Sequence, residues 1–148
     1  MANLVFNAAL GRVSYLASLP AANDALIAVP IETAGIVSDA TMRDYHDLQS
    51  LLAGASNEQT TMGRKTLSGV TVTVDDTNDR VAVDSADIVW TGATGNPISA
   101  LVICYVPDVT APNDATAIPL AKFDFPITPD GSDVAATVAD LYRANSAA

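Results

Sequence analysis

Val70-Thr-Val-Thr-Val-Asp-Asp-Thr-Asn-Asp-Arg-Val-Ala-Val83 is the stretch on which the fold turns. Val70, Val72 and Val74 alternate with Thr71 and Thr73, the period of two that places successive side chains on opposite faces of a strand. Asp75 to Asp79 interrupts the alternation with residues that favour turns, and Val81 and Val83 resume it. The reading is an antiparallel hairpin around Asp76, Thr77 and Asn78. Ala86, Ile88 and Trp90 then fall on even positions, where Val81 and Val83 were odd. That slip requires a bulge or a bend between Asp84 and Asp87.

Outward from this hairpin the pattern stays mostly β. Gly92 to Pro97 reads as a hairpin turn, and Ala100 to Val106 is uninterrupted apolar, as expected for a central strand covered on both faces. Ile118 to Ile127 is strand-like but contains Pro119 and Pro126, which cannot donate to a ladder, so an edge or a bulge is expected there. Thr128 to Asp133 is a turn, and Val134 to Tyr142 is read as a strand. Toward the N-terminus, the apolar stretches Arg12 to Leu19 and Ala25 to Ile31 flank the turn residues Pro20 to Asp24 and read as an opening hairpin. Met42, Tyr45, Leu48 and Leu52 lie at helical spacing, with Thr41 and Asp44 resembling a capping box and Gly54 a left-handed stop. One helix is therefore expected over about 39–53. The expected fold is mainly β: one domain over 1–148, an antiparallel sandwich or small barrel with that helix inserted. An extended N-terminal segment (1–10) and a polar arm (55–65) without periodicity complete it.

A chain of 148 residues can bury roughly 68–70% of the surface its unfolded form exposes. Its large anchors are few: Trp90, Phe6, Phe123, Phe125 and four tyrosines. A core built largely from small side chains gains from association, which buries more apolar surface. Seventeen acidic against seven basic residues give a formal charge of −10, and only Arg64 and Lys65 are adjacent among the basic ones. Such a chain repels phosphate backbones and anionic headgroups, so neither nucleic acid nor a membrane surface is an expected partner. No apolar run approaches the roughly 20 residues needed to cross a bilayer, and MANLVFNAAL has no positive flank, so synthesis in the cytoplasm is expected.

No catalytic, cofactor-binding or metal-ligating residue is assigned. Cys104, the only thiol, lies inside an apolar run and reads as a small hydrophobe. His46 is the only imidazole, and no Gly-x-Ser-x-Gly elbow accompanies it. Asp75, Asp76, Asn78, Asp79, Asp84 and Asp87 could offer oxygen ligands to calcium, but they lack the spacing of an EF-hand loop, and hairpin tips use the same residue types for backbone reasons. Gly92, Gly95 and Asn96 lack the Lys-Ser/Thr ending of a phosphate loop.

Asp75-Asp-Thr-Asn-Asp-Arg-Val81, Asp87-Ile-Val-Trp-Thr91, Ala100-Leu-Val-Ile-Cys-Tyr105 and Pro129-Asp-Gly-Ser-Asp133 resemble small structural proteins of tailed bacteriophages. The resemblance runs from about Arg12 to Tyr142 and rests on turn and core residues. It implies a virion component on the capsid exterior: a head decoration, or cement, protein that binds the major capsid protein and itself as a homotrimer. The alternatives are a tail or head-completion protein forming a ring or tube and, from another class, a small hydrolase using His46. Expected contacts with the capsid are Ala2, Asn3, Leu4, Val5, Phe6 and Asn7 in the N-terminal segment. In the arm they are Asn57, Glu58, Gln59, Thr60, Thr61, Met62, Gly63, Arg64 and Lys65. Both segments are chosen because nothing in the sequence requires them to be ordered internally.

Overall fold

A computed structural model of the chain describes residues 2–54 and 56–146. Position 1 of the N-terminal segment and position 55 of the arm therefore lie outside the described residues. Among the described residues ten strands and three short α-helices, with a 3-10 turn at Asn7–Ala9, run in the order β1 (Leu4–Val5), α1 (Val13–Ser18), β2 (Ala25–Glu32), α2 (Asp39–Met42), α3 (Leu48–Ala53), β3 (Lys65–Thr66), β4 (Thr71–Asp75), β5 (Arg80–Asp84), β6 (Ile88–Trp90), β7 (Ile98–Val106), β8 (Ile118–Ile127), β9 (Val134–Ala136) and β10 (Tyr142–Asn145). The mainly β expectation is met. Strands pair antiparallel in three sheets, ordered β1-β8-β7-β2-β3, β10-β5-β4 and β6-β9, and none closes into a barrel.

The five-stranded sheet is the middle layer, and its alternation sorts side chains into two cores. Ile27, Val29 and Ile31 of β2 with Ala100, Val102, Cys104 and Val106 of β7 pack against Met42, Leu48 and Leu51 of α2 and α3. Leu26, Ala28, Leu101, Ile103 and Leu120 point the other way, toward Val83, Ile88, Trp90, Leu141 and the apolar stripe of α1. β7 is thus buried on both faces, as its unbroken apolar run predicts. Register shifts sit where the side-chain parity must change. The shift between Ile98 and Ala100 puts those two residues in opposite cores, and that between Ile103 and Cys104 corresponds to an extra residue in β8 beside Pro119. The bulge expected from the prolines is present, and it rotates β8 so that Phe123, Phe125 and Ile127 face one core while Lys122 and Asp124 face the helices.

Several local expectations are corrected. Arg12 to Leu19 is not the first strand of a hairpin: it contains α1, because Val13, Leu16 and Ala17 lie at i, i+3 and i+4 and bury one face. The single helix over 39–53 is two helices. Asp47, in extended backbone at φ −143°, breaks the run and caps α3 by accepting from Ser50 N at 2.7 Å. At α2 the cap is Ser38, whose Oγ accepts from Thr41 N at 3.3 Å, so the Thr41–Asp44 box does not form. Gly92 to Pro97 joins two sheets rather than closing a hairpin, since β6 pairs with β9. Val134 to Tyr142 divides into β9 and the start of β10.

Gly54 is not left-handed (φ −81°), and its small size is what the fold uses. A Cβ there would collide with the Tyr45 ring, whose hydroxyl donates to the Gly54 carbonyl at 3.4 Å. Gly54→Ala is expected to destabilise the chain by about 1–3 kcal/mol, the range for overpacking, where a free helix position would gain from the same change. Paired urea curves of the wild type and the variant check the sign. Among the described residues no helix is long and apolar enough to cross a membrane.

Candidate interaction surface

The two segments expected to be free for a partner are both fixed internally. β1 pairs with β8 through Leu4 opposite Lys122 and Val5 opposite Ala121, and Phe6 N continues the contact by donating to Leu120 O at 3.1 Å. The Phe6 ring is fully buried beneath the helices. Asn7 N donates to Arg43 O at 2.9 Å, and its side-chain amide to Asp44 at 2.6 Å. Ala2 N donates to Asp39 at 2.7 Å, and Asn3 Oδ1 accepts from Asp124 N at 2.9 Å.

Beneath this strap lies a sealed charge. Lys122 is 0% exposed, and its ammonium donates to Asp39 Oδ1 at 2.8 Å and Asp124 Oδ1 at 2.7 Å. The β8 bulge and the first turn of α2 bring the three together. A sealed cation is tolerated only with such compensation. Hydrogen bonding from Lys122 holds the Asp39 carboxyl below its ordinary range.

The polar arm is a second such device. Glu58 bridges to Ile31 of β2, and Arg64 reaches back to Glu58 (2.7 and 2.8 Å) and across to Asp114 (2.6 and 2.8 Å), a bidentate pair on each side. These bonds raise the Arg64 pKa above its ordinary value and lower that of Asp114. Gln59 is 1% exposed and uses all of its amide: Nε2 donates to Thr94 O and Asn96 O, and Oε1 accepts from Thr61 N and Met62 N. Gly95, at φ +114°, passes so close to that side chain that a Cβ there would clash with it. Trp90 Nε1 donates to Gly63 O at 2.9 Å, fastening the arm to the core.

The reason for choosing these residues as contacts is therefore corrected: each segment has internal partners, spread too far along the chain to be read locally. Phe6 and Gln59 are buried. Leu4, Val5, Glu58, Met62, Gly63, Arg64 and Lys65 are half-buried, and Ala2, Asn3, Asn7, Asn57, Thr60 and Thr61 remain exposed. His46 is exposed between α2 and α3, and Cys104 is fully buried, which pushes its thiol pKa up. Asp75 serves its turn, accepting from Thr77 N, Asn78 N, Asn78 Nδ2 and Arg80 Nε. No group of three or more His, Cys, Asp or Glu among the described residues is arranged to hold a metal ion.

The sheets leave several edge strands among the described residues, and two places along them stand out. β1 covers only a short part of β8, and beyond it a groove of about 350 Å³ runs between Leu101, Ile103 and Phe123 on one side and Ala136, Val138 and Leu141 on the other. β4 is the second, with no neighbour on its outer side among the described residues and with Val74 73% exposed. Sequence reasoning missed β4 as a surface. The available signal was a Thr-Val-Thr-Val run free of Lys, Arg and Pro, the residues that usually blunt an edge.

Acid stability follows from the carboxylates. Asp39, Asp75 and Asp114 are all lowered, the first and last chiefly by hydrogen bonds from Lys122 and Arg64 and Asp75 chiefly by Asn78. In the unfolded chain an aspartate titrates near about 3.9. Each contribution is therefore complete above that pH and is lost as pH falls through the lower folded-state value. The urea midpoint is expected to fall steeply below about pH 4; a midpoint unchanged between about pH 4 and pH 2 would contradict the assignment of these pairs.

No family model, curated protein or solved structure matches this chain.

Proposed function

We propose that the chain is a structural protein of a tailed-bacteriophage virion: a head decoration protein that binds the outside of the shell and joins capsid subunits through surface contacts. The observation that carries this reading is the open edge strand β4, together with the only partly covered β8, on a domain whose buried side-chain polar groups among the described residues all have hydrogen-bond partners. Rigid edges add strands from neighbours with little ordering cost, and a cement protein works by buried area and strand addition rather than by turnover. The stretches that resemble phage structural proteins occupy the β4–β5 turn, the Trp90 anchor, the central strand β7 and the turn before β9. The acidic surface suits an exterior position, away from packaged DNA. The proposed partners are the major capsid protein and further copies of this chain, with a homotrimer as the assembly and no cofactor.

Gold-labelled antibody on intact virus particles tests the reading, with the mass of the purified protein measured alongside. Label over the heads and a trimeric mass are expected. Label confined to tails or to the head–tail junction transfers the proposal to a tail or head-completion ring, and particles without label overturn the virion assignment.

A further inference from the structure

We infer that the outer edge of β4 is a docking site for an extended segment of a different protein, one that alternates apolar and basic side chains. The inference rests on the reading of the chain as a binding protein and not on its place in a particle. Every second residue of an antiparallel strand turns its N–H and C=O to one side, so β4 presents backbone donors and acceptors that β5 does not use. The other edge of the same sheet, β10, carries Arg143 within the strand, a charge of the kind that discourages pairing; the charge on β4 is Asp75 at its end, and Arg80 already pairs with it.

The two faces of the edge specify the occupant. On one face Val74 lies beside Val81, which lies beside Ala144, and Val72 lies beside Val83 and then Tyr142. These are apolar rows that end abruptly at β4, and an added strand with apolar residues opposite positions 72 and 74 would extend them. On the other face Thr71 and Thr73 lead to Asp75, with Asp84 opposite Thr71 and Asp76 just beyond Asp75. Arg80 and Arg143 are already held by Asp75 and Asp140, so Asp76 and Asp84 have no cation among the described residues. Asp76 follows the last residue of β4, and Asp84 stands on β5 opposite its first, one strand in from the edge. A complementary segment therefore reads basic, apolar, any, apolar, basic. A second copy of this chain pairing β4 to β4 would bring like carboxylates together at both ends, which disfavours self-association here.

The test uses the full-length chain and a labelled peptide, acetyl-Ser-Lys-Val-Thr-Val-Lys-Ser-amide, with its Glu-for-Lys counterpart as control, followed by fluorescence anisotropy and amide hydrogen exchange. Val74→Lys blunts the edge at a solvent-exposed position, and its thermal midpoint is expected to match the wild type. Expected results are saturable binding of the basic peptide, weakened by salt, at least tenfold weaker for the acidic peptide and for the V74K chain, and exchange slowed at alternate β4 amides. Equal binding of both peptides, equal binding by V74K, or no binding at millimolar peptide overturns the inference. A concentration-dependent dimer abolished by V74K, without peptide binding, would assign the edge to a second copy instead. Peptide binding by a protein absent from virus particles would leave this inference standing and remove the virion reading alone.

Discussion

Asp39→Ala combined with Asp124→Ala is expected to lower the unfolding free energy by about 3–5 kcal/mol, a large share of the roughly 5–15 kcal/mol that holds a domain of this kind together. The loss arises at the lysine. Both carboxylates retain some contact with solvent, at 22% and 32% side-chain exposure, whereas Lys122 has none and would be left buried without a counter-charge. Adding Lys122→Met to the double variant should recover most of the loss, because an apolar chain of similar length needs no counter-charge. Lys122→Met alone should be mild, since the two freed carboxylates can hydrate. Urea unfolding of the four proteins gives the comparison, and a double variant with the wild-type midpoint would show that the ammonium reaches water.

Trp90→Ala should be as damaging, at about 3–5 kcal/mol. The ring is 2% exposed among Val83, Ile88, Ile98 and Leu101 in the core, and its Nε1 holds the carbonyl of Gly63. The two roles separate experimentally. Trp90→Phe keeps much of the packing but strands that carbonyl, for about 1–3 kcal/mol, and should loosen the arm selectively. Hydrogen exchange at Thr61, Met62 and Gly63 would rise in the phenylalanine variant before the sheets are affected. Uniform loss of protection across the molecule would mean that the arm and the core open together.

What could be read from the chain alone follows the range of the interactions. The β4–β5 hairpin, the doubly buried β7 and the bulged β8 are each written in short runs of alternation, apolarity or proline. α1 was misread because six residues are too few to separate a helical stripe from a strand; only its position over the three-stranded sheet selects Val13, Leu16 and Ala17 as one face. Gln59 stands among polar residues and looks solvated, yet its partners are the carbonyls of Thr94 and Asn96, which no local pattern connects to it. Lys122 was likewise invisible: its burial depends on a register shift in β8 and on a helix that begins at Asp39. The reason given for the arm is corrected on the same ground in reverse, since polarity suggested freedom where Gln59 and Arg64 are held by distant partners.

The closing strand β10 pairs Tyr142 to Asn145 with Arg80 to Val83, and Leu141 N and Ser146 N add bonds to Val83 O and Asp79 O. On the ribosome this has a temporal meaning. The β4–β5 hairpin emerges with both flanks bare, and its inner flank stays bare until β10, the last of the described strands, has been translated. The nascent chain is most exposed to mispairing during that interval, and neighbouring copies on one polysome are the nearest strands available. A shortened chain lacking β10 would remain permanently in that state, so C-terminal truncation should appear in the cell as aggregation rather than as a smaller folded product.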